Sequence, residues 1–340
     1  MAAEPNKSKY AQAGVDIDLK AGVISNIGKL VKATHGPEVL SGVGPFGGLF
    51  EFKGYENPVL VSSTDSVGTK IKLAIALDKH DTVGIDIVNH CVNDIFTCGS
   101  SPIFFLDYIG IGKVVPETLE SIVAGLTAAC HDIGCALIGG EIAEMRDVYN
   151  DNDYDLAGFV IGVVSKDKII DGTKISSGDA LIGLPSKGLH TNGYSLARKV
   201  FGDTKENLNV RYPELGRTLG EELLEPHHCY YNEVKDLLPM IKGIAHITGG
   251  GLIENVPRIL PEGLATRFQS GKWTIPPIFQ LIEHQGNVTR QEMYRVFNMG
   301  IGMVLVCSPE DASNLWKSIP EAYIIGEVIE QSSNERVIIQ

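Results

Sequence analysis

Apolar residues fall in short blocks along the chain, and the spacing within each block sorts them into strands and helices. PVLVSSTD (58–65) reads as a buried strand, and SPIFFLDYIGIG (101–112), CALIGGEIAEM (135–145) and YDLAGFVIGVVS (154–165) read as further strands. IDIVNHCVNDIFTCG (85–99) and PETLESIVAGLTAACHDIG (116–134) predict helices, the second opened by Pro116 and closed by Gly134. Strands alternating with helices make the first half α/β. Between 166 and 180 the text becomes KDKIIDGTKISSGDA, poor in large apolar residues, which sets an expected boundary between domains 1–170 and 171–340. The second half restarts with strand DALIGL, loop PSKGLHTNG and helix YSLARKVF. It continues through IAHIT, the glycines 249–251, a short helix LIENV and a terminal strand near 323–329. No internal repeat or low-complexity segment interrupts this order.

Composition narrows the classes of function. A chain of 340 residues with 44% hydrophobic and 21% charged residues suits two soluble globular domains. Its formal net charge of −13 offers no long-range attraction to nucleic acid or an anionic membrane, yet leaves room for a small anionic substrate held by local cations, amides or a metal. The polar start MAAEPNKSKYAQAG has no apolar core of a secretory signal, and no run is long enough to span a bilayer. Six cysteines without a C-x-x-C pair read as reduced thiols of a cytoplasmic protein. The triplet His227, His228, Cys229 is not expected to bind metal, because adjacent side chains diverge and no second ligand pair is visible nearby.

Two phosphate motifs fail on inspection. STDSVGTK (63–70) places Thr69 before Lys70, the reverse of a Walker A loop, and Asp65 stands where that loop carries only amides. GVGPFG (42–47) matches G-x-G-x-x-G, but the strand-like GLFEFKGY follows it where a dinucleotide fold needs a helix. A glycine-rich loop closing over a ligand, or a plain surface loop, fits better. On helix 85–99, Ile85, Val88, Val92, Ile95 and Phe96 form an inward stripe, while Asp86, His90, Asn93, Asp94 and Thr97 share the other side. That second face is either solvated or, lacking Lys and Arg, suited to magnesium. Asp65, Asp107, Glu141 and Glu144 lie in or just beyond strands, where α/β sheets place their sites. The loops GLHTNGYSL and HITGGG offer an imidazole, an amide and flexible backbone to an anion, although a glycine run also serves as an ordinary turn.

Taken in order, STDSVGTK, HDTVGIDIVNHCVNDI, PIFFLDY, GGEIAEM, YDLAGF, GLHTNGYSL, HITGGG and EMYRVFNMGIGM resemble the AIR synthetase family, the phosphoribosylformylglycinamidine cyclo-ligases of purine biosynthesis. The resemblance runs from about residue 13 to the C-terminus. It implies ATP-dependent closure of the imidazole ring of formylglycinamidine ribonucleotide, with Mg2+ accompanying ATP and a monovalent cation such as K+ admitted. It implies an α/β chain of two domains, with mixed sheets, in a homodimer whose N-terminal sheets build a shared barrel. It also implies roles for particular residues. Asp65, Asp94 and Glu141 would hold metal. Gly42, Gly44, Gly47, Gly48, Asp65, Thr69, Lys70 and Asn93 would meet ATP. His190, Thr191, Asn192, Gly249, Gly250 and Gly251 would meet the second substrate. Lys70, His190 and Asp94 would act in catalysis, Lys70 by neutralising charge as phosphoryl moves.

Ser66, Ile142, Arg146 and Pro45 depart from the family's usual glycine, threonine, proline and uninterrupted glycine loop. The rivals are other ATP-using members of the superfamily, such as selenophosphate synthetases and thiamine-monophosphate kinases, or a catalytically inactive nucleotide-binding protein. The first expects an early reactive cysteine, whereas the first cysteine here is Cys91; the last expects lost acids, and they are present.

Overall fold

The computed structural model describes residues 17–41 and 47–340, so Gly42, Gly44 and Pro45 lie outside the described residues. The first half runs α1 (Ile17–Lys32), β1 (Pro58–Ser66), α2 (Ile71–Leu77), α3 (Asp81–Phe96), β2 (Ser101–Ile111), α4 (Pro116–Ile133), β3 (Ala136–Glu144) and β4 (Tyr154–Ser165). Its strands form one mixed sheet in the order β1-β4-β2-β3. Strand β4 is antiparallel to β1 and β2, while β2 and β3 are parallel, with α4 as their crossover.

Helices α3 and α4 cross closely. A Cβ added at Gly84 would collide with the backbone of α4 at Ile122, and one at Gly125 with the carbonyl of Asp81. The crossing therefore depends on having no side chain at either point. Strand β1 is an edge strand that alternates between α3 and solvent, not the buried strand its apolar start suggests. Beyond Val61 the run turns polar, so only alternate positions face inward. On the outer face Leu60 and Phe159 are 64% and 44% exposed.

The second half contains β5 (Ala180–Pro185), α5 (Tyr194–Phe201) and a two-residue hairpin of β6 (Arg211–Tyr212) and β7 (Arg217–Thr218). Strands β8 (Ile241–His246), β9 (Leu264–Phe268), β10 (Ile301–Cys307), β11 (Tyr323–Glu330) and β12 (Val337–Ile339) follow. Six of these strands form a sheet in the order β12-β9-β11-β5-β10-β8, antiparallel except where β12 meets β9. Strand β10 reads IGMVLVC and is buried at all seven positions, as a central strand covered on both faces must be.

The join between the halves is made by α3. Thirteen of its sixteen residues are buried, including Asp86, Asn89, His90 and Asn93 on its polar side. That face is not solvated. It docks on residues 225–230 of the second half, and polar groups taken out of water there need partners.

Candidate active site at the seam of the two halves

At the N-terminal end of this face lies an ion pair with no solvent access. Lys70 ends a single turn of 3-10 helix at Gly68–Lys70, which carries its side chain into the seam. Its Nζ donates to Asp86 Oδ1 at 2.8 Å, to the Glu225 carbonyl at 2.7 Å and to the His190 carbonyl at 3.2 Å. Three donors thus meet three acceptors, and the side chains of Lys70 and Asp86 are both 0% exposed. Burial drives the lysine pKa down and the aspartate pKa up, while the opposite charge of each resists that drift in the other. Asp86 Oδ1 also accepts the His227 N–H at 2.7 Å. Lys70 is therefore a strut between the halves, and its expected role as a phosphate cation does not match this placement.

Asn93 is likewise engaged across the seam. Its amide donates to the His228 carbonyl at 2.8 Å and its oxygen accepts the Tyr230 N–H at 3.0 Å, so both ends grip the 228–230 segment. Asn89 donates to the His227 carbonyl at 2.6 Å.

One turn further along α3 the seam opens. His90 Nε2 lies 2.9 Å from Asp65 Oδ2 on β1, and His246 Nδ1, at the end of β8, lies 2.8 Å from Asp94 Oδ1. Ser63 donates to Asp94 Oδ2 at 3.2 Å. Burial acts to raise Asp65 and Asp94, but their histidine partners outweigh it and hold both carboxyls below the usual range. Burial acts to lower His90, and the surrounding aspartates reverse this and raise it. At His246 burial prevails and the pKa falls.

His90 Nδ1 and His227 Nδ1 lie 2.7 and 3.2 Å from the hydroxyl of Thr191, and His227 Nε2 is 3.0 Å from His246 Nε2. His190 stacks on His227 with centroids 4.1 Å apart. It is 1% exposed, in left-handed backbone at φ +62°, and its Nε2 accepts the Lys187 N–H while its buried Nδ1 has no partner. Burial and the surrounding cations drive His190 and His227 well below the ordinary imidazole range, so both are neutral near pH 7. The sequence reading named His90 and His190 but set His227 aside and did not single out His246. The missed signal is that second ligands come from another element, 19 residues along the chain.

The substrate loops converge here. Asn192 Oδ1 sits over Gly249, where an added Cβ would come within 3.1 Å, and Asn255 ties the loop by donating to the carbonyls of Gly249 and Gly251. Gly250 and Gly251 adopt φ of +97° and +57°, which a side chain would strain. Beside them a cavity of about 350 Å³ is lined by Ser63, Asp94, His246, Thr248, Asn255 and Arg258. Arg258, absent from the sequence expectations, is exposed at its rim.

Glu141 stands apart from the other two expected metal ligands. Across the sheet Asp65, Gly158, Asp107 and Gly140 occupy one row, and all face α3 and α4. Glu141 is the next residue after Gly140, so it faces the opposite side, about 14 Å and three strand spacings from Asp65. Within one chain it does not join Asp65 and Asp94 on a metal. Asp107, in that inward row, is pushed by burial up to about 7. Glu144 accepts the Val114 N–H and pairs with Arg146, both at 3.2 Å.

Thr69 is exposed with its hydroxyl 3.3 Å from that of Ser195, and Gly47 is exposed while Gly48 packs on Ile138 of β3. Ser66 needs no glycine conformation, since it ends β1 in extended backbone with its N–H on Asp65 Oδ1 at 2.7 Å.

Comparison with known proteins fits this two-part seam. The family described as AIR synthase related protein, N-terminal domain, matches residues 50–164, and its C-terminal domain counterpart matches 176–339. The chain belongs to the AIR synthase related family. It is 52% identical to a phosphoribosylformylglycinamidine cyclo-ligase of Geobacillus thermodenitrificans, over 94% of this chain and 95% of that protein. It is 51% identical to one of Trichlorobacter lovleyi, over 97% of both. Among solved structures, the thiamine-monophosphate kinase of Stenotrophomonas maltophilia superposes with a TM-score of 0.68 at 15% identity, over 93% of this chain and 96% of that one. The hydrogenase maturation protein HypE in complex with ATP gives 0.67 at 16%, over 96% and 93%. At such identities the two structures share the fold of this AIR synthase related chain. The expected mixed α/β fold in two halves is thus borne out, and among the described residues no helix is long and apolar enough to cross a membrane.

Proposed function

We propose that this chain is an ATP-dependent cyclo-ligase that closes the imidazole ring of formylglycinamidine ribonucleotide, giving aminoimidazole ribonucleotide, ADP and phosphate. The observation that carries this reading is identity near half over almost the whole length of relatives named for that activity. In the proposed sequence the formyl amide oxygen takes the γ-phosphoryl group of ATP, and the amidine nitrogen then displaces phosphate as the C–N bond forms. Such transfer is governed by positioning and electrostatics.

Asp65 and Asp94 supply the oxygen donors for a divalent cation, and both carboxylates are partly exposed, at 39% and 30%. When bound, that cation screens the triphosphate. Arg258 is the cation we assign to a substrate phosphate in place of Lys70. Thr191, Asn192 and the 249–251 loop orient the second substrate. Neutral His190 accepts the Lys187 N–H and so holds the first of these loops in shape. The open face of the N-terminal sheet, with Leu60 and Phe159, is the surface we assign to a homodimer, where Glu141 also lies. The domain limits we propose remain 1–170 and 171–340.

The test is to supply formylglycinamidine ribonucleotide with Mg·ATP and assay the aminoimidazole product together with ADP. Product formed in step with ADP is expected. ATP bound without product overturns the cyclo-ligase reading.

A further inference from the structure

The motif EMYRVFNMGIGM (292–303) runs beneath both substrate loops. It leaves the helix Arg290–Val296 and enters β10, so the turn 297–300 is anchored on either side by regular structure. That turn is sealed. Phe297, Asn298 and Met299 are 1%, 3% and 0% exposed, and Met299 and Gly300 take left-handed backbone at φ +51° and +93°. A methionine in that conformation is strained, and its surroundings must offset the cost. Trp273 does so in part by donating its Nε1–H to the Met299 carbonyl at 2.9 Å.

Asn298 fastens this turn to the first substrate loop. Its Oδ1 accepts the Ser186 hydroxyl at 2.8 Å and the Gly300 N–H at 2.9 Å, and its Nδ2 donates to the Gly188 carbonyl at 3.0 Å. The Ser186 N–H in turn donates to the Gly300 carbonyl at 2.9 Å. His190 lies two residues beyond Gly188, and Thr191 and Asn192 follow it directly. At the far end of the loop Gly193 rests on the Phe297 ring, which an added Cβ would enter. The loop from 186 to 193 is thus held at both ends by one turn.

The same segment carries the second loop. A Cβ on Gly251 would collide with the carbonyls of Tyr294 and Phe297, and the Ile247 N–H donates to the Gly302 carbonyl at 2.9 Å. Gly249 and Gly250 lie between these two attachments. Asn298 itself does not line the cavity beside the loops, so it acts on a ligand through them.

We propose that Asn298 is a positioning residue for the ribonucleotide substrate, and that the 297–300 turn is a common footing that ties the placement of Thr191 and Asn192 to that of Gly249–Gly251. A substrate held by two loops is aimed only as well as the loops are fixed to each other, and a misplacement of about 1 Å costs about a hundredfold in rate. The role in substrate placement rests on the reading of both loops as the second substrate's site. The footing itself does not rest on ring closure.

The test uses the full chain with Asn298→Asp, which keeps both acceptor bonds and loses only the donor to Gly188. Amide exchange followed by mass spectrometry, without ligand, should quicken about tenfold at 186–192 and also at 249–252. Ser186→Ala removes one bond to Asn298 where folding is least at risk, and it should quicken the same two segments to a lesser degree. In Asn298→Asp, kcat/KM for formylglycinamidine ribonucleotide should fall about tenfold, the scale of one buried hydrogen bond, with the KM for ATP within about twofold of the parent. Ser308→Ala removes the cap of the helix Pro309–Ser318, at the opposite end of β10 from the turn. It should lower the urea midpoint and leave loop exchange and both KM values unchanged. Exchange at 249–252 equal to the parent's in both loop variants, or loops loosened as much by Ser308→Ala, overturns the inference. Product formed by Asn298→Asp with the parent's kinetics sinks this inference alone. Loops that loosen together in a chain that forms no product sink only the cyclo-ligase reading.

Discussion

Asp86 and Asp94 stand eight residues apart on the same side of α3, yet their surroundings give them opposite roles. Asp86 is sealed, paired with Lys70 and bonded to the His227 N–H. Asp94 is 30% exposed, faces two histidines and lines a cavity. A carboxylate without solvent is held by its partners and can do little else, since removing any partner strands a charge. A carboxylate at a cavity keeps oxygen lone pairs for a ligand. The difference separates a structural clamp from a working site within two turns of one helix.

The largest expected effect is on the clamp. Lys70→Met leaves the Asp86 carboxylate buried without its countercharge, and urea unfolding should show a loss of about 3–5 kcal/mol. Adding Asp86→Asn, which keeps an acceptor for the His227 N–H, should restore most of it. Unchanged stability with a raised KM for ATP would instead return Lys70 to the phosphates. At the other end, Asp94→Asn should leave the urea midpoint close to that of the parent but lower kcat/KM at least about a hundredfold, or about 2.7 kcal/mol of transition-state stabilisation. An unchanged rate would remove Asp94 from the site.

The imidazoles between the two aspartates predict a dependence on pH. His190 and His227 have folded pKa values well below the unfolded value of about 6.5. Their contribution is therefore present above pH 6.5 and is lost as pH falls, because the unfolded chain takes up protons that the fold refuses. Each adds up to about 1.4 kcal/mol per pH unit to that slope. His227→Asn should flatten the fall in urea stability between about pH 6.5 and 5 by roughly that amount. A slope equal to the parent's would mean that His227 is protonated in the fold.

Local periodicity was enough to read α4, α5 and the inward stripe of α3, because each has helical spacing or clear end signals. Strand β10 is uniformly apolar, so it carries no alternation to read, and β12 has only three residues. At the site, motif order pointed to Asp65, Asp94, His190 and Asn192, and the structure brings these around one seam. The surroundings of Lys70 and Asn93 were not legible for a common reason: apart from the Asp86 carboxylate on Lys70, their partners are backbone carbonyls and an amide of residues 190 and 225–230, which no side-chain pattern announces. Glu141 lies on the other face of the sheet from Asp65 within one chain, since one residue along a strand changes the face. His227 and His246 became visible only when β8 and the 225–230 segment were brought against α3.

The smallest expected effect tests whether Arg258 fills the place that Lys70 leaves empty. Its guanidinium is at the rim of the cavity that holds Asp94 and His246, and no hydrogen bond or ion pair to its side chain is found among the described residues. A charge-assisted bond to phosphate is worth about 1.5–3 kcal/mol when dry and less at an exposed rim. Arg258→Ala should thus raise the KM of the phosphate-bearing substrate by about fivefold, close to 1 kcal/mol, with kcat nearly unchanged. Arg258→Lys should recover part of the loss, because a point charge serves a phosphate even without the fork of two N–H groups. If kcat fell and KM held, Arg258 would act on the phosphoryl in flight, and the division between a binding rim and a reacting centre at Asp94 would have to be redrawn.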